Sequence, residues 1–162
     1  MDVYVRNAQY EDLSKISKLY EQLHEHHLDS VPQNTPSLFN EITIEDFNTV
    51  NQDEYIFSLV LCTKRNNKEH VVGTALVRII NEGEGACSAI FPYMYINQFV
   101  IGKEYRNMRL GSYFISNIKT IATRFSCHEV YLDCWTENYS GSAFYLKHEF
   151  SPVRQLLVYK RQ

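Results

Sequence analysis

The chain has 162 residues, enough to bury a sizeable core, and its length and composition predict one domain over 1–162. Hydrophobic residues make up 44% and charged residues 22%, the balance of an ordinary globular protein. A net charge of -3 argues against nucleic acid as the main partner, because phosphate backbones demand a basic face.

No apolar run approaches the length of a membrane span, and the opening MDVYVRN has no leader pattern, so a cytoplasmic chain with no membrane contact is expected. Val3 to Ala8 (VYVRNA) alternates as a strand does. Leu13, Ile16, Leu19, Tyr20 and Leu23 then recur at three and four residues, which is an amphipathic helix. Pro32 and Pro36 break the following stretch, from Asp29 to Ser37. A short helix is expected near Ile44 to Val50, with Thr43 as its cap.

YIFSLVLCT and HVVGTALVRII are rich in β-branched and aromatic residues, and the polar KRNNKE between them predicts an antiparallel hairpin. The turn NEGEG, Asn81 to Gly85, leads towards the strand YMYINQFVI. A helix follows whose inward face is Phe114, Ile115, Ile118, Ala122 and Phe125. EVYLDCW reads as a buried strand, TENYSGSAFYLKH as a helix and QLLVYKR as a closing strand. The passage from Tyr93 to Trp135 implies one parallel pair with a right-handed crossover in an otherwise antiparallel sheet.

The junction EYRNMRLGSYF places Arg106, Arg109 and Gly111 where a strand gives way to a helix. A helix start offers unpaired N–H groups and a positive dipole end, both suited to phosphate, and glycine permits close approach to the backbone. The competing reading is a solvated turn whose arginines serve solubility. No GxxxxGK[ST] occurs, and the dinucleotide pattern after Gly83 and Gly85 would need a glycine where Ser88 stands.

VIGKEYRNMRLGS resembles the acyl-CoA-binding segment of the GCN5-related N-acetyltransferase (GNAT) family, whose pattern is Q/R-x-x-G-x-G/A. Arg106 takes the first position and Gly111 the last, while Arg109 stands where the family has glycine. LDCWTENYSGSAFYLKHEF is similar to the family's later signature, a strand followed by N-x-x-A-x-x-F-Y-x-x-x-G-F. Asn138, Phe144, Tyr145 and Phe150 fall in register, Gly141 replaces the alanine and Glu149 the second glycine. The two motifs stand in the family's order, and the likeness extends over the whole chain.

The resemblance implies a single-domain mixed α/β sheet splayed between strands 4 and 5, flanked by helices, with acetyl-CoA as cosubstrate in the split. Phe99, Val100 and Ile101 would pair with the pantetheine arm. Arg106, Arg109, Leu110, Gly111 and Ser112 would hold the pyrophosphate, and Asn138 would bond the pantetheine. Tyr145 would protonate the departing thiolate, a role suited to a donor that stays neutral at pH 7. The alternatives beside these roles are a helix cap for Asn138 and a core aromatic for Tyr145.

The implied activity is an N-acetyltransferase acting on a primary amine of a small molecule or protein by direct attack, with a homodimer left open. A non-catalytic acyl-CoA-binding module of the same fold is the alternative. Relatives often place a glutamate on the fourth strand, where this chain has Asn97 and then Gln98. These two, with His26 and His27 of HEHHLD, are the candidates for orienting the acceptor or a water. His24, His26, His27 and Asp29 also suggest metal ligands, but no second cluster accompanies them, and no metal is expected. Glu82 and Glu84 are read as solvated or as a rim attracting a cationic acceptor. Cys62, Cys87, Cys127 and Cys134 form no CxxC pair and read as free thiols, Cys134 lacking a partner for nucleophilic work.

Overall fold

A computed structural model of the chain describes residues 2–28, 43–81, 91–159 and 161. In chain order the elements are β1 (Asp2–Asn7), α1 (Leu13–Leu28), α2 (Ile44–Gln52), β2 (Ile56–Arg65) and β3 (Lys68–Ile80). They continue with β4 (Tyr93–Ile101), α3 (Leu110–Arg124), β5 (Glu129–Leu132) and α4 (Tyr139–Lys147). Glu82, Glu84, Cys87 and Asp29, with most of the turn at 81–85 and all of the proline-containing stretch, lie outside the described residues.

Local chemistry accounts for the boundaries. Thr43 caps α2 by accepting from the Asp46 N–H, and Asp46 returns a bond to the Thr43 N–H. Asn66 and Asn67 both take positive φ in the two-residue link between β2 and β3, a conformation asparagine tolerates and the right-handed twist of a hairpin favours.

The strands form one five-stranded sheet in the order β1-β2-β3-β4-β5. Every neighbouring pair is antiparallel except β4 and β5, which are parallel and are linked through α3. One face carries Leu61, Val72, Val77, Met94 and Ile96 against Phe114, Ile115 and Ile118 of α3. The other packs Val60, Cys62, Val71 and Val100 against Ile16 and Leu19 of α1 and Phe47 of α2.

Among the described residues no helix is long and apolar enough to cross a membrane.

Three expectations are corrected. QLLVYKR forms no strand over its described residues: residues 151–159 carry no regular structure, and Leu156 and Leu157 are 98% and 84% exposed. Alternation supplies local β propensity only, and a strand also needs a pairing partner, which this segment lacks among the described residues. EVYLDCW is a strand only over Glu129–Leu132, because its pairing with β4 ends at Ile96, and it is half-buried as an edge strand of the sheet. Phe125 is not on the inward face of α3. It caps the helix, is 44% exposed and packs its ring on Phe57 at 5.0 Å.

Candidate active site

The site begins where the sheet divides. Tyr93 to Ile96 of β4 stand in register with Glu129 to Leu132 of β5, and there the pairing ends. At the same point the β3–β4 register slips, with Leu76 opposite Gln98 and Val77 opposite Ile96, so Asn97 is an extra residue in β4. A bulge bends and twists its strand. Beyond it β4 stays with β3, and Asn97 to Ile101 have no strand on the β5 side among the described residues. An open edge of this kind can pair with an extended ligand. Phe99 and Ile101 pack towards α3, Val100 is buried towards α1, and Asn97 and Gln98 are exposed.

The basic turn lies at the end of this edge. The Gly102 N–H bonds to the Val72 carbonyl at 2.8 Å, and the Lys103 N–H to Gln22 Oε1 of α1 at 2.9 Å. Arg106 Nε donates to the Ile101 carbonyl at 3.2 Å, so this arginine ties the turn to the strand. Asn107 and Arg109 have φ of 61° and 62°. From Asn107 to Ser112 no backbone N–H finds an acceptor among the described residues. A run of unanswered donors at a helix start is suited to an anion.

Within that run Gly111 has a different neighbour from the one expected. A Cβ placed on it would lie 3.2 Å from Phe144 Cε2, so its bareness lets α3 and α4 approach one another. Leu110 is buried in the core, and Ser112 Oγ lies 3.0 Å from His148 Nε2.

Arg109 and Glu149, the two residues that replace the family pattern's glycines, both keep a glycine-like backbone, with φ of 62° and 68°. A left-handed non-glycine residue costs roughly 1–2 kcal/mol, part of which glycine returns as unfolded-chain entropy. Arg109→Gly and Glu149→Gly should therefore each raise the unfolding free energy by up to about 1 kcal/mol. Urea unfolding checks this, and a lower midpoint for both variants would mean that contacts of these side chains outweigh the strain.

Asn138 caps α4. Its Oδ1 accepts from the Gly141 N–H at 3.0 Å and from Ser140 Oγ at 3.3 Å, and His26 Nε2 lies 3.3 Å away. An amide oxygen only accepts, so His26 must present Nε2–H, and the Asn138 amide N–H groups have no partner among the described residues. A Cβ at Gly141 would lie 2.5 Å from Asn138 Nδ2, which explains glycine where the family pattern has alanine.

Tyr145 sits among Phe99, Phe144 and Phe150, with ring centroids at 6.4, 5.3 and 5.7 Å. Burial first, and then the neighbouring Cys134, push its pKa well above the usual phenol value, so it stays protonated. The hydroxyl has no protein partner among the described residues, yet it is not sealed from solvent. A donor in that position can reach into the opening beside β4.

The opposite face of the divided sheet carries other groups. Tyr93 and Tyr131 pack edge to face at 5.1 Å, and the Tyr95 hydroxyl donates to Asp133 Oδ2 just past the end of β5. Sequence reasoning missed Asp133 as a site residue, although it lies within the predicted strand EVYLDCW. The rings of His26 and His27 lie 5.9 Å apart, and burial, with the charges of His26 and His24, lowers the His27 pKa. No group of three or more candidate metal ligands occurs among the described residues. Burial raises the Cys134 thiol, which works against a thiolate nucleophile.

Residues 17–150 match the family model described as the Acetyltransferase (GNAT) family. No curated protein sequence matches at a significant level. Among solved structures, the tetramutant of the BH1408 protein from Bacillus halodurans is similar at 16% identity, over 98% of this chain and 99% of that one, with a TM-score of 0.83. The aminoglycoside acetyltransferase meta-AAC0020 from an uncultured soil metagenomic sample has 16% identity over 99% and 95% of the two chains, with a TM-score of 0.70. AAC(6')-Iy, solved with the bisubstrate analog CoA-S-monomethyl-acetylneamine, has 14% identity over 100% and 99%, with a TM-score of 0.71.

Proposed function

The chain belongs to the GNAT acetyltransferase family, and from that premise we propose that it transfers an acetyl group from acetyl-CoA to a primary amine by direct attack. The observation that carries this reading is the divided sheet beside the unanswered N–H run, an open strand edge continuing into a turn suited to an anion. Phe99, Val100 and Ile101 would align the pantetheine arm along that edge. The N–H groups of Asn107 to Ser112 would hold the diphosphate, with Arg106 and Arg109 adding charge. The amide N–H groups of Asn138 would reach a pantetheine carbonyl while its oxygen keeps the cap.

Tyr145 would give its proton to the departing sulfur. Asn97 and Gln98, exposed where β4 bends, would orient the acceptor or a water, with His26 and His27 at the nearby mouth. A small-molecule amine is the acceptor class that the names of meta-AAC0020 and AAC(6')-Iy suggest. A second reading, a module that binds acyl-CoA without turnover, is favoured only by the missing carboxylate at Asn97.

Calorimetric titration with acetyl-CoA, followed by thiol release across a panel of primary amines, separates the two. Binding with release supports the transferase. Binding with no release from any amine supports the module, and no binding defeats both.

A further inference from the structure

An amine that attacks a thioester must shed a proton, and β4 offers no carboxylate to take it. The register supplies one from the other strand. Ile96 and Leu132 are the last paired residues, so Asn97 and Asp133 are the next residue on each strand as the strands part. Asp133 therefore stands at the apex of the opening, one strand across from the position that lacks a base.

The faces then separate the two proton-handling groups. Val130 and Leu132 of β5, and Met94 and Ile96 of β4, pack towards α3, as do the Phe99, Phe144 and Phe150 rings around Tyr145. Tyr95 and Asp133 alternate to the other face, with Tyr93 and Tyr131. A donor at Tyr145 and an acceptor at Asp133 thus flank the opening from opposite sides. That arrangement suits an amine arriving on one side while sulfur leaves on the other.

An ionised carboxylate accepts only, so the bond from Tyr95 fixes Oδ2 and orients the group. Oδ1 has no protein donor among the described residues, and Asp133 is exposed, open to a substrate amine or a bridging water. The histidines are worse placed. His26 has its Nε2–H committed to Asn138, and His27 is the partly buried member of the pair.

We propose that the Asp133 carboxylate, aligned by the Tyr95 hydroxyl, accepts the proton of the attacking amine. This rests on the acetyl-transfer reading above. As the N–C bond forms, nitrogen becomes acidic and releases a proton to Asp133, directly or through one water. Collapse of the adduct breaks the C–S bond, and the sulfur takes the Tyr145 proton. One proton taken by Asp133 matches one given by Tyr145, and exchange with solvent restores both.

The test follows thiol release from acetyl-CoA with excess hydroxylamine, which is already neutral at pH 7, for the parent, Asp133→Asn, Asp133→Ala and Tyr95→Phe. Asp133→Asn should lose about 10²-fold in kcat, in the range of general bases, with acetyl-CoA affinity and thermal midpoint unchanged. Tyr95→Phe should lose less, because the carboxylate remains. Added formate should restore part of the rate of Asp133→Ala, which a purely structural aspartate would not allow. An Asp133→Asn rate within a few-fold of the parent, or an Asp133→Ala loss untouched by formate, would overturn the assignment. A parent that binds acetyl-CoA but gives no release above the enzyme-free rate with hydroxylamine or any amine of the panel defeats the transferase reading itself, a result distinct from either.

Discussion

Tyr145→Phe should lower kcat by ~10²–10⁴-fold while acetyl-CoA affinity hardly moves. The phenyl ring keeps its packing among Phe99, Phe144 and Phe150, so only the hydroxyl is removed. That hydroxyl makes no bond to the described protein, so its loss leaves no orphaned partner and should cost little stability. Desolvation holds it protonated across the neutral range, and the parent rate should show no basic limb from phenol ionisation below pH 9. Steady-state rates and calorimetry on both proteins check this. Equal kcat values, where chemistry limits turnover, would leave Tyr145 as a packing residue.

Gly111→Val should abolish acetyl-CoA binding and lower the thermal midpoint, and the structure assigns the cause to Phe144. The first added carbon already lies 3.2 Å from that ring, and the valine methyls reach further. Overpacking of this kind costs typically 1–3 kcal/mol and would lever α4, with Asn138 and Tyr145, away from α3. Making room should reverse it. The double variant Gly111→Val/Phe144→Ala should bind acetyl-CoA measurably again, a coupling that a mutant cycle quantifies. A double variant that folds but still fails to bind would show that the valine obstructs the ligand directly.

The elements that bury one face were legible in the sequence because periodicity reports burial. α1, the β2–β3 hairpin, β4 and α3 all lie where their spacing placed them. QLLVYKR was misread because its alternation matches a strand while pairing is decided elsewhere in the fold. Phe125 was misread because a helical spacing continues in sequence after the helix itself has ended.

At the site, the motif residues were legible by type and order, whereas their partners were not. Asp133 acquires its neighbour Tyr95 only through the register of two parallel strands, across 38 positions of chain. The true neighbour of Gly111 is likewise 33 residues away in sequence, reached only once α4 has docked. Arg109 and Glu149 illustrate a further limit. A pattern written in residue names counts them as departures, yet their backbones keep the left-handed turn the glycines would have made.

The extra residue at Asn97 also changes how β4 must be counted. Before it, the odd-numbered Tyr93 and Tyr95 alternate away from the α3 face; after it, the even-numbered Val100 does so, on the α1 side. The strand therefore changes parity at a single position. A deletion of that one residue would leave composition, length class and hydrophobicity almost untouched. It would make Ile96 and Gln98 consecutive opposite Val77 and Leu76, so Phe99 and Val100 would keep their faces while the bend that opens the strand edge was lost. In an alignment of such chains, a one-residue gap here would mark a straighter β4 with the same core facing, a change in the opening and not in the packing.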